Sequence, residues 1–313
     1  MTSSAHGFRA MGAACSITVF AQQNAEELVG LGVHRVELLE QSWSRFRENS
    51  ELNRLNARAG QGAVQVSADL LALLWHMRRA WEISDGLFDP TLLAEIRAAG
   101  YDADFATVIA RSALEDVRSW SAPHRSSGMQ DVEMDLEAST VSLPSAVGLD
   151  PGAIGKGLAA DIVVSELLAA GATGVLVDLG GDIVAGGRPG SEEAWVIAIE
   201  DERDPENSDR DPMLVRFPAG EIAAIATSST LYRRWAGGTR HHVLDPRTGQ
   251  IADPELVQAT VWCAAGWLAE ISATAALLMK ADQARLWLDR HELGYALMTS
   301  TTVSSSLLGA ERV

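Results

Sequence analysis

A carboxylate inside an apolar run is the first residue with chemistry to offer. In "AAGWLAEISATAALLMK" (264–280), alanine, leucine, isoleucine and methionine describe a buried helix, yet Glu270 stands in it with Thr274 four residues later. On a helix those two side chains share a face. Two readings stay open at this point. One is a half-exposed Glu beside a Thr bonded to its own helix. The other is a pair of hard oxygen ligands for a metal ion.

Three further stretches carry reactive types. "LDPGAIGKGLAAD" (149–161) sets Gly152, Gly155, Lys156 and Gly157 at the mouth of a helix. Exposed amides there bind anions, and the glycines admit close backbone approach. It is not a P-loop, because Gly157 follows the lysine where Ser or Thr is needed. A plain glycine-rich turn before a packed helix remains the alternative. In "DLGGDIVAGG" (178–187) the glycines lead into another β-like run. A dinucleotide fingerprint needs them to lead into a helix, so that site is set aside. "ATSSTLYRRWAGGTRHHVLDPRTGQ" (226–250) supplies Ser228, Ser229, Arg233, Arg234 and Arg240 as possible phosphate contacts. His242 can act as a base near neutral pH, with Asp245 three residues on. "DPRTG" is also an ordinary turn sequence.

The elements that must position these residues follow from periodicity. "CSITVFA" (15–21) predicts a strand and residues 25–46 a long amphipathic helix. Ser50-Glu51 starts a short helix, and residues 67–86 form another, stopped by Gly86. Asp89 and Pro90 read as the N-cap and first position of a further helix. "VEMDLEASTVSLP" reads as a hairpin, 154–171 as a helix, and "TGVLVDLGGDIVAGG" as strand, turn, strand. Strands are expected at 194–200, 213–217, 221–227, 240–244 and 259–264. Helices then run to about 291, and "YALMTS" is the last strand. The charged segment 200–212 reads as a solvated hairpin loop; its spacing lacks the order of an EF-hand. Strands and helices mix without βαβ alternation, which predicts an α+β fold of mixed, largely antiparallel sheets with packed helices.

Bulk properties bound the function. The chain has 313 residues, 47% apolar and 21% charged, enough for a substantial core. A net charge of −17 argues against nucleic acid or an anionic membrane as partner. An anionic ligand would then need local cations or a metal. The chain holds two lysines, Lys156 and Lys280. Cys15 and Cys263 make no disulfide framework. Neither a signal peptide, a lipobox nor a membrane-spanning run is visible, and the expected location is the cytoplasm.

Taken in order, the segments resemble the ApbE-type FAD:protein FMN transferases. The carriers are "MGAACSITVF", "SRFRENSELNRLN", "SDGLFDPT", "LDPGAIGKGLAAD", "GGD", "ATSS", "HHVLDPRTG" and "AEISAT". Each motif is weak alone, but eight in one order are specific. The resemblance implies one ApbE-like domain over 1–313, with room for two closely packed subdomains, and an architecture related to the T-fold. It implies a magnesium-dependent enzyme that splits FAD, attaches FMN to a threonine of an acceptor protein and releases AMP. It places Met11 and Phe46 on the isoalloxazine or adenine portion, and Leu87, Phe88 and Asp89 along the flavin site. Asp150 and Lys156 hold other parts of FAD; Arg240, read above as a possible phosphate contact, is counted with them as a cofactor-binding residue. The Ala153 carbonyl, Glu270 and Thr274 face the magnesium, and His242 is the base for the acceptor hydroxyl. Three positions depart from the family pattern. Glu270 stands for the usual Asp, Ala273 for a further acid found in some members, and Ser229 for a glycine. An FAD carrier that does not transfer, and an FAD pyrophosphatase giving FMN and AMP, are the competing functions.

Overall fold

The computed structural model describes residues 1–112, 127–204, 213–308 and 311–312, and residues 205–212 of the expected charged loop lie outside them. The chain divides into two compact units. The first comprises Met1–Leu38, Lys156–Leu231 and Pro254–Val313; the second comprises Leu39–Gly155 and Tyr232–Asp253.

The first unit is built on an eight-stranded antiparallel sheet. Its spatial order is Thr2–Ala10, Ala13–Ala21, Ala172–Leu179, Ile183–Gly187, Ala223–Ser229, Leu256–Cys263, Gly294–Thr299 and Val303–Ser306. Alternation in sequence sets which side chains are buried: Cys15, Ile17, Val19 and Ala21 point inward from one strand. One face packs against the hairpin of Ala194–Ile199 and Met213–Pro218, where Trp195, Ile197, Val215 and Phe217 meet Ala185, Ile225, Trp262 and Met298. Helix Gly266–Leu277 packs on the strands Ala223–Ser229 and Leu256–Cys263. Helix Gly155–Ala169 lies over Gly186, where an added Cβ would come within 2.9 Å of Val164 and 3.0 Å of Leu168. Both helices are apolar nearly all round, as buried helices are.

The second unit contains the helices Glu51–Asn56, Ala68–Ile83, Leu93–Ala98 and Phe105–Ser112 and a three-stranded sheet. Ser50 and Ser67 cap the first two, accepting from Asn53 N at 3.0 Å and Leu70 N at 3.2 Å. Leu93, Ile96, Tyr101, Val108, Trp235 and Leu244 form its local core.

The α+β expectation holds, with every pairing in the large sheet antiparallel. Several details differ. Thr2–Ala10 is a strand that its polar, exposed residues do not announce. It gains its hydrogen bonds from Ala13–Ala21 through a turn in which Met11 and Gly12 both adopt positive φ. Asp89 does not cap a helix: its Oδ1 accepts from Thr91 N at 2.9 Å and Thr91 Oγ1 at 2.5 Å, and the helix starts at Leu93. The single strand expected at 240–244 is two short ribbons, because His242 and Val243 turn the chain between them. "YALMTS" is followed by the strands Val303–Ser306 and Glu311–Arg312.

Candidate functional site

In the first unit the site begins with two glycines. A Cβ on Gly157 would lie 2.3 Å from the Gly266 carbonyl oxygen, and one on Gly266 would lie 2.5 Å from the Gly157 oxygen. Two helices therefore start backbone against backbone, an approach open only to glycine. Each then supplies a carboxylate to the amides of the other. Glu270 Oε2 accepts from Gly157 N at 2.7 Å. Asp161 Oδ1 and Oδ2 accept from Gly266 N at 2.7 Å and Trp267 N at 3.0 Å. Amides at a helix N-terminus lack intrahelical partners and favour negative charge, so both carboxylates are held where they are useful.

Lys156 lies among these groups. Its ammonium donates to Asp182, which follows the Gly180–Gly181 turn, and to Glu270 Oε1 at 3.3 Å. The Asp182 and Glu270 side chains are 3% and 4% exposed, against 21% for Lys156. Burial raises Asp161 to about 6 against the pull of the two amides, and the Glu270 charge adds to the rise. Asp178 is raised by burial as well, opposed by the Gly181 amide and the Lys156 charge. On the strand Ala223–Ser229, Ser228 Oγ lies 2.7 Å from Thr274 Oγ1. Glu202 is pushed up to about 7, mainly by burial, with a Ser229 hydrogen bond opposing and Glu200 and Asp201 adding to it.

The oxygens of Glu270 and Thr274 are hard donors on one helix face, the class that magnesium takes. Among the described residues no group of three or more His, Cys, Asp or Glu is arranged to hold a metal. The Glu270 and Thr274 oxygens suit an ion that completes its shell with phosphate and water, as magnesium does at nucleotide sites. Two buried carboxylates sharing one ammonium leave negative charge for such an ion to meet.

The second unit gathers most of the expected flavin-contact residues. Asp150 Oδ1 accepts from Gly152 N at 2.9 Å and its Oδ2 pairs with Arg45 Nε at 3.2 Å. Its own amide donates to the Pro90 carbonyl at 2.8 Å. Asn56 grips the preceding residue through both backbone groups, with 2.9 Å to Leu149 O and 2.8 Å from Leu149 N. Asn53 Nδ2 donates at 3.0 Å to both the Arg45 and Arg47 carbonyls, fixing the backbone on either side of Phe46. Phe46 is 42% exposed and lies 5.7 Å from the Tyr101 ring. Ser84 Oγ accepts from Phe88 N at 2.9 Å; Phe88 is buried, while Leu87 and Asp89 are half-buried. Ala153 is a non-glycine residue at φ +66°. Trp235 Nε1 and Arg240 Nη1 both donate to the Ala99 carbonyl, at 3.1 and 3.0 Å.

Two adjacent histidines have different surroundings. His241 is buried, its Nδ1 accepts from Val243 N at 3.3 Å, and burial lowers its pKa, so it is a neutral structural ring. His242 is half-buried.

Within the first unit the structure brings Lys156, Glu270 and Thr274 onto two neighbouring elements, and Met11 stands in its own hairpin turn. Asp161, Asp182 and Asn56 stand in the quoted motifs but were given no role by the sequence, and Arg45 and Asn53 were not singled out. A signal for Asp161 was present: "GLAAD" and "GWLAE" share a glycine followed four residues later by an acid.

Comparison with known proteins bears on the family. The family model described as "ApbE family" matches residues 11–298. A Treponema pallidum protein named FAD:protein FMN transferase is 29% identical over 285 residues, 86% of this chain and 76% of that protein. A Rhodobacter capsulatus protein of the same name is 29% identical over 265 residues, which are 81% of this chain and 46% of the relative. Among solved structures, the ApbE protein of Thermotoga maritima superposes with a TM-score of 0.83 at 22% identity, covering 97% of each chain. The apo flavinyl transferase ApbE of Pseudomonas stutzeri gives 0.76 at 21%, covering 97% of this chain and 95% of that one. At these identities the structural likeness speaks to the fold. Among the described residues no helix is long and apolar enough to cross a membrane.

Proposed function

The chain belongs to the ApbE family, and from that premise we propose that it transfers FMN from FAD to a threonine of an acceptor protein and releases AMP. The observation that carries the reading is the cluster at the paired helix N-termini. There two buried carboxylates, Asp182 and Glu270, share the one ammonium of Lys156.

Glu270 and Thr274, on one face of their helix, would hold magnesium. When bound, that ion would supply positive charge to the pyrophosphate as a P–O bond of its bridge breaks and negative charge gathers on the leaving AMP. The chain's own residues do the rest. Lys156 meets phosphate with its ammonium and keeps Asp182 and Glu270 in place. Arg240, anchored on the Ala99 carbonyl, presents its guanidinium to phosphate. Phe46 and Met11 offer surfaces to the rings of FAD, and Asp150 holds a polar part of it. The buried Phe88 fixes the turn that carries Leu87 and Asp89. His242 takes the proton of the acceptor hydroxyl, which is a poor nucleophile until a positioned base removes it.

The test is to incubate the protein with FAD and magnesium, with and without a threonine-bearing acceptor, and to separate the products. AMP together with an acceptor heavier by FMN supports transfer. AMP and free FMN without acceptor labelling would make the protein a pyrophosphatase. Bound, unchanged FAD across several divalent ions and acceptors would make it a carrier. In the same assay Glu270→Gln abolishes metal-dependent turnover and largely spares FAD binding. His242→Asn lowers transfer far more than flavin affinity.

A further inference from the structure

Arg45 is a buried cation to which none of the readings above gives a task. Its side chain is 5% exposed, and four contacts fix it. Nε pairs with Asp150 Oδ2 at 3.2 Å and Nη1 donates to the Tyr101 carbonyl at 2.9 Å. The guanidinium carbon sits 4.1 Å from the centroid of the Phe46 ring and 4.5 Å from that of Tyr101. Within the second unit, one planar cation thus joins the exposed aromatic ring to the carboxylate.

We infer that Arg45 is a positioning residue for flavin-nucleotide binding, acting through Phe46 and Asp150 by two separable means. The first is geometric. A guanidinium stacks on aromatic faces and donates in fixed directions, which an ammonium does not. Arg45 therefore sets the plane in which Phe46 offers its open face. Besides the guanidinium, the Phe46 ring meets the tilted Tyr101 ring at 5.7 Å; it is 42% exposed, and Asn53 fixes only the backbone on either side of it. The second is electrostatic. A bare Asp150 would repel a ligand that carries a diphosphate. Paired with Arg45, its second oxygen on Gly152 N, it acts as a neutral hydrogen-bonding group. This inference rests on the reading of Phe46 and Asp150 as flavin-nucleotide contacts.

Two variants separate the two means. Arg45→Lys keeps the positive charge beside Asp150 and loses the planar stack. The affinity for FAD, followed by flavin fluorescence, falls roughly tenfold while its salt dependence stays that of the wild type. Arg45→Met also uncovers Asp150, so its affinity for FAD falls further and then rises as salt is added and the repulsion is screened. A merely structural role for Arg45 would not create that reversed salt response. Thermal melting of each variant, read alongside, separates loss of fold from loss of binding. If Arg45→Met does not fold, Arg45→Lys decides alone. Arg45→Lys binding FAD as well as the wild type, or Arg45→Met binding that weakens with salt, overturns the inference. Wild-type protein that binds no FAD overturns the flavin reading itself, and this inference with it.

Discussion

Glu270 in the first unit and Asp150 in the second are built alike. Each gives one oxygen to a glycine amide, Gly157 N at 2.7 Å and Gly152 N at 2.9 Å. Each gives the other oxygen to a cation, Lys156 at 3.3 Å and Arg45 at 3.2 Å. They differ in what else the cation serves. Lys156 is shared with a second buried carboxylate, Asp182, whereas Arg45 turns to two aromatic rings and a carbonyl. The first cluster is short of positive charge and the second is balanced. A deficit of that kind suits a site that takes up a cation with its substrate; a balanced pair suits a site that orients.

The largest effect should come from deepening the deficit. Lys156→Met leaves Asp182 and Glu270 buried with no ammonium between them, and should destabilise the fold by about 3–5 kcal/mol in urea unfolding. Added magnesium or manganese should then raise the midpoint of the variant more than that of the wild type, since an ion bound only by the folded state stabilises it. A small loss, with no response to the ion, would mean that the two clusters are not different in charge after all.

Next in size is the backbone beneath each carboxylate. An alanine Cβ at Gly157 would stand 2.3 Å from a carbonyl that cannot move without parting two helices. Gly157→Ala should cost about 2–3 kcal/mol. At Gly152 the nearest atom is Asp150 Oδ1, on a side chain, at 3.3 Å. Gly152→Ala should change the unfolding midpoint little. Equal losses at the two glycines would show that Asp150 stands on as rigid a base as Glu270 does.

That contrast also explains what could be read from the sequence. Helices and strands with a clear period, such as Ala68–Ile83 and Ala13–Ala21, were legible because burial imposes the period. The strand Thr2–Ala10 was not, since it is an exposed edge that gains its bonds from a neighbour. Glu270 and Thr274 drew notice because a carboxylate is costly in an apolar helix. Asp161 closes a quoted motif but received no role, although it caps the facing helix, because nothing local says that Gly157 and Gly266 meet. Arg45 was silent for the same reason: its value lies in Asp150 and Tyr101, which only the fold brings to it.

The smallest of these effects tests Asp161, the reciprocal partner of Glu270. Two helix amides favour its charged form, whereas burial and the Glu270 charge oppose it and raise it from 3.8 to about 6. Between those values the folded chain holds a proton that the unfolded chain has released. The stability this brings is complete below about pH 4 and is lost as pH rises through about 6. Asp161→Asn cannot titrate, so the stability of the wild type relative to the variant should fall by on the order of 2 kcal/mol from pH 4 to pH 7. Urea midpoints at the two pH values measure it. If the relative stability rises instead, the amides of Gly266 and Trp267 outweigh burial. Asp161 would then keep its negative charge to well below pH 6, beside Glu270 on the facing helix.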